Sequence, residues 1–287
     1  MHGESSGLPR VAAIQMASGP RVEGNQHEIR RLLHLAAEAG AGLVVLPENA
    51  LLMGMNEQDK LAYREDDGGG PLQDFYADAA SRHGIWVVAG TIPMLADDPE
   101  RARQSCLVFD SAGRRVARYD KIHLFDVEVE GDAAYRESAT LEPGSGVVVL
   151  DSPYGRIGLS VCYDLRFPEL YRLMVGQGAE VFVVPSAFTA KTGEAHWRTL
   201  VRARAIENLA VVIAPNQGGY HVNGRETHGE SMIVDPWGRV LDSLSRGSGV
   251  VCSELDLPRL REVRQRFPAL DHRRLRVVED SDQPVSR

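Results

Sequence analysis

Cys162 is the residue whose type and position best suit nucleophilic chemistry. It ends the apolar run RIGLSVC and precedes YDLRFPEL, a pattern that predicts a strand turning into a helix. A thiol at such a turn is expected to be exposed, and the start of the helix favours its thiolate form. Cys106 and Cys252 lie within apolar strand patterns and are expected to pack as small hydrophobic residues. Cys162 is therefore the candidate nucleophile.

A nucleophilic thiol needs a neighbouring base, and the sequence offers two kinds. Histidine is the usual partner, and His123, His196 and His228 are available, although none has a local pattern that ties it to the cysteine. The alternative is Glu48 with Lys121, since each of them follows an apolar strand. If those strands neighbour the strand of the cysteine in one sheet, the three side chains emerge at one rim.

Glutamate, lysine and cysteine together suit attack on the carbon of an amide or a nitrile. A carboxyl group at its reference pKa of about 4.3 is a weak base for a thiol near 8.5. We expect burial to raise the pKa of Glu48 and the Lys121 ammonium to lower the pKa of the Cys162 thiol. Both shifts reduce the difference between the two pKa values. The ammonium and a backbone N–H at the turn then stabilise the oxyanion of the tetrahedral intermediate.

The composition limits the partners and the compartment of the protein. The 287 residues carry 32 basic and 40 acidic side chains, a net charge of −8, which argues against a nucleic-acid partner. Three cysteines without a CxxC spacing argue against a disulfide framework or structural zinc, so a cytoplasmic location is expected. The start of the chain lacks a signal-peptide pattern, and no apolar run approaches the ~18 residues of a membrane helix. No membrane partner is expected.

Other chemical motifs are missing from the sequence. It contains no HExxH, P-loop or GxGxxG pattern, which leaves a zinc peptidase, an NTPase and a dinucleotide-binding protein without support. GLSVC begins like the serine elbow GxSxG but lacks its last glycine. Only three of the 32 basic residues are lysines, and we expect Lys60 and Lys191 to be ordinary surface charges.

Strands and helices alternate along the chain. Strands are predicted at 10–17, 42–48, 85–92, 104–110, 114–120, 146–151, 156–162, 181–188, 210–215, 230–235 and 238–244. Helices are predicted at 25–40, 71–84, 168–179, 194–209 and 257–267. The four-residue spacing of apolar side chains in the fourth helix predicts a face towards the core, formed by Trp197, Val201, Ala205 and Leu209.

Three buried strands run into a proline and then a polar residue, in VVLPE, VVPSA and VIAPN. Proline ends a strand because it cannot donate to the ladder, and functional groups gather beyond strand ends in open α/β sheets. This echo suggests internal pseudo-symmetry within one domain. We expect that single domain to comprise residues 1–287, with its core at about 10–274 and short flexible tails.

Three separated segments resemble the catalytic segments of the nitrilase superfamily of carbon–nitrogen hydrolases. They are LPENAL around Glu48, YDKIHLFD around Lys121 and GLSVCYDLRFPEL around Cys162. SAFTAKTGEAHWRTLVRARAIEN and HGESMIVDPWGRV extend the resemblance, which covers about residues 10–274. It implies an α/β fold, a four-layer αββα sandwich. It also implies a homodimer or a higher homo-oligomer that packs through the face near the nucleophile helix.

The resemblance implies a role for each residue of a Glu–Lys–Cys triad. Glu48 is the general base, Lys121 stabilises the tetrahedral intermediate and Cys162 is the nucleophile. Glu137, in RESATLEPG, matches a second glutamate of the family, which orients the lysine and the substrate. No metal or organic cofactor is implied, since the protein itself supplies nucleophile, base and oxyanion charge.

The segments CYDLRFPEL and KIHLFD are most similar to amidases acting on deaminated glutathione and on ω-amides of 2-oxo acids. Nitrilases in the narrow sense carry Trp-Glu where this chain has Tyr163 and Asp164, and N-carbamoyl amino acid hydrolases often carry two arginines where only Arg166 matches. We therefore expect a cysteine-dependent amidase for a small carboxylate-bearing amide, with deaminated glutathione first. An ω-amidase or a carbamoylase is the alternative, and a non-catalytic binding protein on the same fold is a more distant one.

Three residues are candidates for binding the substrate. Arg166, four residues beyond the nucleophile, can pair bidentately with a substrate carboxylate or form a salt bridge on the helix surface. Phe188, after a strand end, can line the pocket or pack in the core. Tyr163, directly after the nucleophile, is the third candidate.

Overall fold

Seventeen strands and six α-helices are present among the residues that the computed structural model describes, 7–128, 134–275 and 277. The strands are β1 (Arg10–Gln15), β2 (Ala41–Val45), β3 (Trp86–Val88), β4 (Ile92–Leu95), β5 (Ala102–Phe109), β6 (Arg115–Asp120), β7 (Asp126–Glu128), β8 (Ala134–Arg136), β9 (Val149–Ser152), β10 (Gly155–Leu159), β11 (Val181–Val183), β12 (Val211–Ala214), β13 (Gly218–Tyr220), β14 (Glu226–His228), β15 (Ser231–Val234), β16 (Val240–Leu244) and β17 (Gly249–Glu254). The helices are α1 (Val22–Glu38), α2 (Pro71–His83), α3 (Pro168–Gly176), the single turn α4 (Ala190–Thr192), α5 (Arg198–Asn208) and α6 (Leu257–Arg266). The predicted flexible tails lie for the most part outside the described residues.

Two sheets dominate the fold and share one connectivity. The first has the strand order β17-β1-β2-β3-β5-β4, with β6 paired to β5, and the second has the order β16-β15-β12-β11-β10-β9. In the first sheet, β1, β2 and β3 are parallel and are joined through α1 and α2. In the second, β10, β11 and β12 are parallel and are joined through α3 and α5. Each half therefore contains two strand–helix–strand crossovers.

The alternation of side chains along the strands produces four layers. In β1, Val11 and Ala13 pack in the apolar cluster between the sheets, whereas Ala12 and Ile14 pack against the layer of α1 and α2. The cluster between the sheets continues through the second sheet to buried side chains of α3 and α5. Both faces of the parallel strands are buried, as their nearly continuous apolar runs require. The order helix, sheet, sheet, helix is the expected αββα sandwich.

The core-facing side of the helix predicted at 194–209 is confirmed, because Trp197, Val201, Ala205 and Leu209 are all buried. The expectation for Lys60 is wrong. Its side chain is buried and its Nζ lies 2.6 Å from Glu57 Oε2, because both residues belong to a 3-10 helix, Glu57–Tyr63, that the sequence pattern did not predict. Lys191 is exposed, as predicted.

Several predicted strands end earlier in the structure. The strand predicted to reach Cys162 ends at Leu159, and a 3-10 helix, Cys162–Arg166, begins at the cysteine. The strand predicted at 85–92 is interrupted between β3 and β4, where Gly90 adopts φ +67°. In both places a left-handed residue turns the chain out of the ladder, since Cys162 itself has φ +47°.

No helix among the described residues is long and apolar enough to cross a membrane.

Gly90→Ala should destabilise the fold more than Gly84→Ala. Both glycines have positive φ, +67° and +64°, but a Cβ on Gly90 would lie 2.0 Å from the Pro47 carbonyl oxygen, whereas nothing lies within 4 Å of one on Gly84. We expect Gly84→Ala to lower the free energy of unfolding by about 1 kcal/mol and Gly90→Ala by roughly 3 kcal/mol, because the second also displaces backbone. Urea unfolding of both variants measures the difference. Equal losses would contradict the packing described for Gly90.

Candidate active site

Four predicted site residues, Glu48, Lys121, Glu137 and Cys162, line one cleft. Glu48 follows β2 and Lys121 follows β6, so both come from the first sheet, whereas Cys162 follows β10 of the second sheet. Glu137 begins a short 3-10 helix, Glu137–Ala139, directly after β8. The three strands therefore do not neighbour one another in one sheet, so the condition under which the side chains would share the rim of one sheet is not met. The residues meet because the ends of two stacked sheets open into the same cleft.

The Lys121 ammonium connects two carboxylates in the floor of this cleft. Its Nζ lies 2.8 Å from Glu48 Oε1, and 2.9 and 2.8 Å from the two carboxylate oxygens of Glu137. The Phe125 N–H donates to Glu137 Oε2 at 2.7 Å, which holds that carboxylate in place. Lys121 and Glu48 are buried, at 1% and 3% exposure, so these contacts are shielded from water. A buried charge is stable only when it is paired in this way.

The Cys162 thiol faces the two charges but is itself largely covered. The residue is 8% exposed, so the expectation of an exposed thiol is wrong. Its backbone N–H donates to the Pro185 carbonyl at 2.9 Å and is not available for a substrate oxyanion. The Glu48 carboxylate and the backbone of Ala187 lie close enough to the thiol to influence its pKa. The positive φ of the cysteine is the kind of backbone strain that concentrates at functional sites.

The pKa values of Glu48 and Cys162 are shifted in directions opposite to those expected from the sequence. Burial raises the pKa of the Cys162 thiol well above its usual range, and the Glu48 charge adds to this effect more than Lys121 opposes it. Burial is the largest influence on Glu48 and would raise its pKa, but the Lys121 ammonium, the Lys60 charge and the Cys162 thiol together outweigh it and lower that pKa. Burial would lower the pKa of Lys121, but the charges of Glu137 and Glu48 hold it well above its usual range. The resting site therefore contains a thiol, two carboxylates and an ammonium.

Asp164 ties the lysine segment to the nucleophile turn. One carboxylate oxygen accepts from the Val161 N–H at 2.8 Å and from the Tyr119 hydroxyl at 2.7 Å. The other lies 3.1 Å from the His123 N and 2.7 Å from its Nδ1. Tyr119 and His123 flank Lys121 in the sequence, and Val161 precedes the nucleophile. This completely buried carboxylate fixes the two segments relative to each other.

The candidate histidine bases are engaged elsewhere. His123 contacts Asp164 and stacks on Phe167 with ring centroids 3.7 Å apart. The Nδ1 of His196 lies 3.2 Å from the Arg166 guanidinium, and the Nε2 of His228 lies 3.3 Å from Glu230. The titratable groups that act on the thiol are Glu48 and Lys121 and include no histidine, so the arrangement favours Glu48 over a histidine as the base. Among the described residues, no three His, Cys, Asp or Glu side chains are grouped to hold a metal ion.

Arg166, Tyr163 and Phe188 all line the cleft, as predicted. The Arg166 guanidinium carbon lies 5.7 Å from the centre of the Tyr163 ring and 5.2 Å from that of the Phe188 ring. Within the described part of the chain Arg166 forms no salt bridge with a carboxylate, which favours the substrate-binding interpretation. The cavity volume is about 110 Å³, several times what one water needs.

Sequence reasoning missed part of the lining. Further residues contribute to the cleft: Asn49, Glu57, Phe125, Ala134, Tyr135, Arg136, Ala187, Thr189, Thr192 and Arg225. Most of them lie in short segments, such as the 3-10 helix Glu57–Tyr63, β8 and the β13–β14 hairpin, that are too short to show periodicity. The i,i+3 spacing of Glu57 and Lys60 was the one available indication of a local charge pair.

Comparisons with known proteins find relatives along nearly the whole chain. The family profile described as carbon-nitrogen hydrolase matches residues 10–265. A deaminated glutathione amidase of Yersinia enterocolitica is 41% identical over 266 residues, 92% of this chain and 92% of that protein. One of Synechocystis sp. is 43% identical over 92% of this chain and 97% of that protein. The crystal structure of the C. elegans NitFhit protein matches with a TM-score of 0.86 at 36% identity, over 93% of this chain and 65% of that one.

Asp164→Asn should reduce turnover as well as stability. The amide places a donor against groups that now donate to the carboxylate, so we expect a loss of about 2–3 kcal/mol in the free energy of unfolding. The displaced nucleophile turn should lower kcat by roughly 10–100-fold with little change in KM. Urea unfolding and steady-state kinetics measure the two effects.

Asp110→Asn is the matched control. Asp110 is also a buried carboxylate, and it accepts from the Ala112 N–H, the Arg114 N–H and Arg114 Nε at the β5–β6 turn, away from the cleft. We expect it to lose stability and keep kcat. A kcat loss of the same size in both variants would show that Asp164 has no positioning role.

Proposed function

Since the chain belongs to the carbon–nitrogen hydrolase family of the nitrilase superfamily, we propose that it hydrolyses deaminated glutathione through a cysteine thioester. Its family and its relatives make it an amidase that acts on C–N bonds other than peptide bonds. The observation that carries the mechanism is the Lys121 ammonium held between Glu48 and Glu137 beside the Cys162 thiol.

The first half-reaction forms the thioester. The Cys162 sulfur attacks the amide carbonyl carbon while the Glu48 carboxylate takes the thiol proton. Lys121 remains an ammonium because of its two carboxylate partners, so it stabilises the oxyanion and does not act as a base. The Tyr163 N–H, at the first turn of Cys162–Arg166, is the backbone donor that we assign to the oxyanion. The protonated Glu48 then gives its proton to the leaving amine as the C–N bond breaks.

The second half-reaction regenerates the thiol. Glu48, again a carboxylate, takes a proton from a water that attacks the thioester carbonyl. The tetrahedral intermediate meets the same ammonium, and its collapse releases the carboxylic acid and returns the proton to the Cys162 sulfur. The contacts of Glu137 keep Lys121 oriented through both steps. No step requires a metal or an organic cofactor.

Arg166 is the residue that we assign to a carboxylate of the substrate. Deaminated glutathione carries a 2-oxo acid carboxylate on the acyl side of the scissile amide. The Arg166 guanidinium lies in the cleft between two aromatic rings and faces a histidine. A planar guanidinium in this position binds a carboxylate bidentately, while Phe188 and Tyr163 contact the aliphatic part of the acyl chain.

We further propose a reducing cytoplasmic location, a single domain over residues 1–287 and assembly into a homo-oligomer. The location is supported by the free thiol of Cys162, which the mechanism requires in its reduced form. Assembly is supported by exposed apolar side chains near α5, because Ile206 is 46% and Trp237 65% exposed. The Trp237 and Phe267 rings form a further exposed pair, with centroids 5.6 Å apart.

A substrate panel and intact-mass spectrometry test the proposed function together. We expect the highest kcat/KM for deaminated glutathione, followed by 2-oxoglutaramate, with N-carbamoyl amino acids last. Rapid acid quenching should reveal one acyl group on the wild-type protein and none on Cys162→Ala, whose kcat falls by at least about 1,000-fold.

Each alternative has its own outcome in this experiment. Preference for an N-carbamoyl compound, with release of CO2, would indicate a carbamoylase. Preference for 2-oxoglutaramate would indicate an ω-amidase. Absence of both turnover and acyl adduct with every amide would indicate a binding protein. Loss of turnover on replacing a histidine, with Lys121→Ala still active, would point to a Cys–His pair instead.

A further inference from the structure

The catalytic cleft continues into an open groove on the surface of the protein. Three residues, Glu57, Tyr135 and Arg225, line both the cleft and the groove. The groove is bordered further out by Met55, Asn56, Lys191, Asn223 and Glu226. A leaving group longer than ammonia therefore has a path from the nucleophile towards solvent, and this path passes Arg225.

Arg225 is placed close to the nucleophile by the backbone of Ala187. One guanidinium nitrogen of Arg225 donates to the Ala187 carbonyl at 2.9 Å, and the backbone of the same residue lies close enough to the Cys162 thiol to lower its pKa in part. The guanidinium carbon lies 5.1 Å from the centre of the Tyr135 ring. The Nε of Arg225 is buried and has no hydrogen-bond partner within the described ranges. The guanidinium thus retains donor capacity at the junction of cleft and groove.

The nearby carboxylate does not neutralise Arg225. Glu57 approaches it only to 4.0 Å, while the other carboxylate oxygen of Glu57 lies 2.6 Å from the buried Lys60 ammonium. The Lys60 charge, with a smaller contribution from Arg225, lowers the pKa of Glu57 to about 2, and Glu57 forms its closer ion pair with Lys60. Arg225 is left as a cation beside that pair. Because the chain carries a net charge of −8, an anionic substrate depends on such local cations.

We propose that Arg225 binds a carboxylate on the leaving-group side of the scissile amide, while Arg166 binds the carboxylate on the acyl side. This inference rests on the proposed amidase function. The two arginines contact adjacent residues, Ala187 and Phe188, through the carbonyl of one and the ring of the other. The substrate class is a dicarboxylate amide whose amine portion is a short peptide.

The length of the leaving group fits this placement. In deaminated glutathione the amine portion is Cys-Gly, whose terminal carboxylate lies two residues from the scissile bond, about 7 Å when extended. Arg225 is separated from the nucleophile by the backbone of a single residue, Ala187, so a chain of this length reaches it from the thioester carbon. An ω-amide of a 2-oxo acid loses only ammonia and cannot use Arg225. The subsite therefore favours the peptide-like substrate within the proposed class.

The test compares deaminated glutathione with its analogue in which the terminal glycine carboxylate is a carboxamide. We expect the wild type to prefer the carboxylate by roughly 10–100-fold in kcat/KM, the effect of a hydrogen bond to a charged group. Arg225→Met should reduce this preference to less than about threefold. Arg225→Lys, which keeps a cation, should retain part of the preference and serves as the readout if Arg225→Met does not fold.

Arg246→Met is the matched control. Arg246 is an exposed arginine that pairs with Glu226 at 3.1 Å on the border of the groove, and its removal should leave the preference at the wild-type value. Equal preference in wild type and Arg225→Met, or a wild type that prefers the carboxamide, would overturn the proposal while the amidase function stands. A wild type that hydrolyses neither compound would refute the proposed function and this subsite with it.

Discussion

The ion pairs of the Lys121 ammonium are the interaction on which the site depends. Its Nζ lies within 2.9 Å of carboxylate oxygens from both Glu48 and Glu137, in a place that water hardly reaches. Removing the lysine would leave the Glu48 and Glu137 carboxylates side by side without a compensating charge, which is strongly destabilising in protein interiors. The pairing also keeps the ammonium protonated, which makes it suitable for stabilising an oxyanion and unsuitable as a base. One interaction thus accounts for both the order and the chemistry of the cleft.

The two sheets of the sandwich must be fixed relative to each other for this cluster to form. Glu48 and Lys121 belong to the first sheet and the nucleophile to the second, so their separation depends on how the sheets stack. The apolar cluster between the sheets supplies the attraction but little lateral specificity. Asp164 supplies direction, because its carboxylate accepts from both sides of this junction. The many apolar contacts bring the two sheets together, and a few buried hydrogen bonds then fix their relative position.

The sequence predicted the four layers, and its four candidate catalytic residues line one cleft, because these features depend on local or family patterns. Apolar runs marked the strands, and Glu48, Lys121 and Cys162 follow such runs. The protonation states were predicted in the wrong direction, since they depend on complete burial and on a second carboxylate at the lysine. Lys60 and Arg225 escaped prediction because they lie in short segments whose contacts are set by tertiary packing. The chemical type of each candidate residue could be predicted from the sequence. The electrostatic effects of these residues on one another depend on distances and burial, which only the structure provides.

The resting Cys162 side chain is a neutral thiol in the mechanism that we propose, because burial and the Glu48 charge outweigh the effect of the Lys121 ammonium on its pKa. The most direct test is a pH titration of the thiolate ultraviolet absorbance, taken as the difference between wild type and Cys162→Ala. We expect no Cys162 thiolate at neutral pH and an onset of titration well above the usual range of a cysteine thiol. A thiolate already present at neutral pH would contradict it, because the Lys121 ammonium would then outweigh both burial and the Glu48 charge.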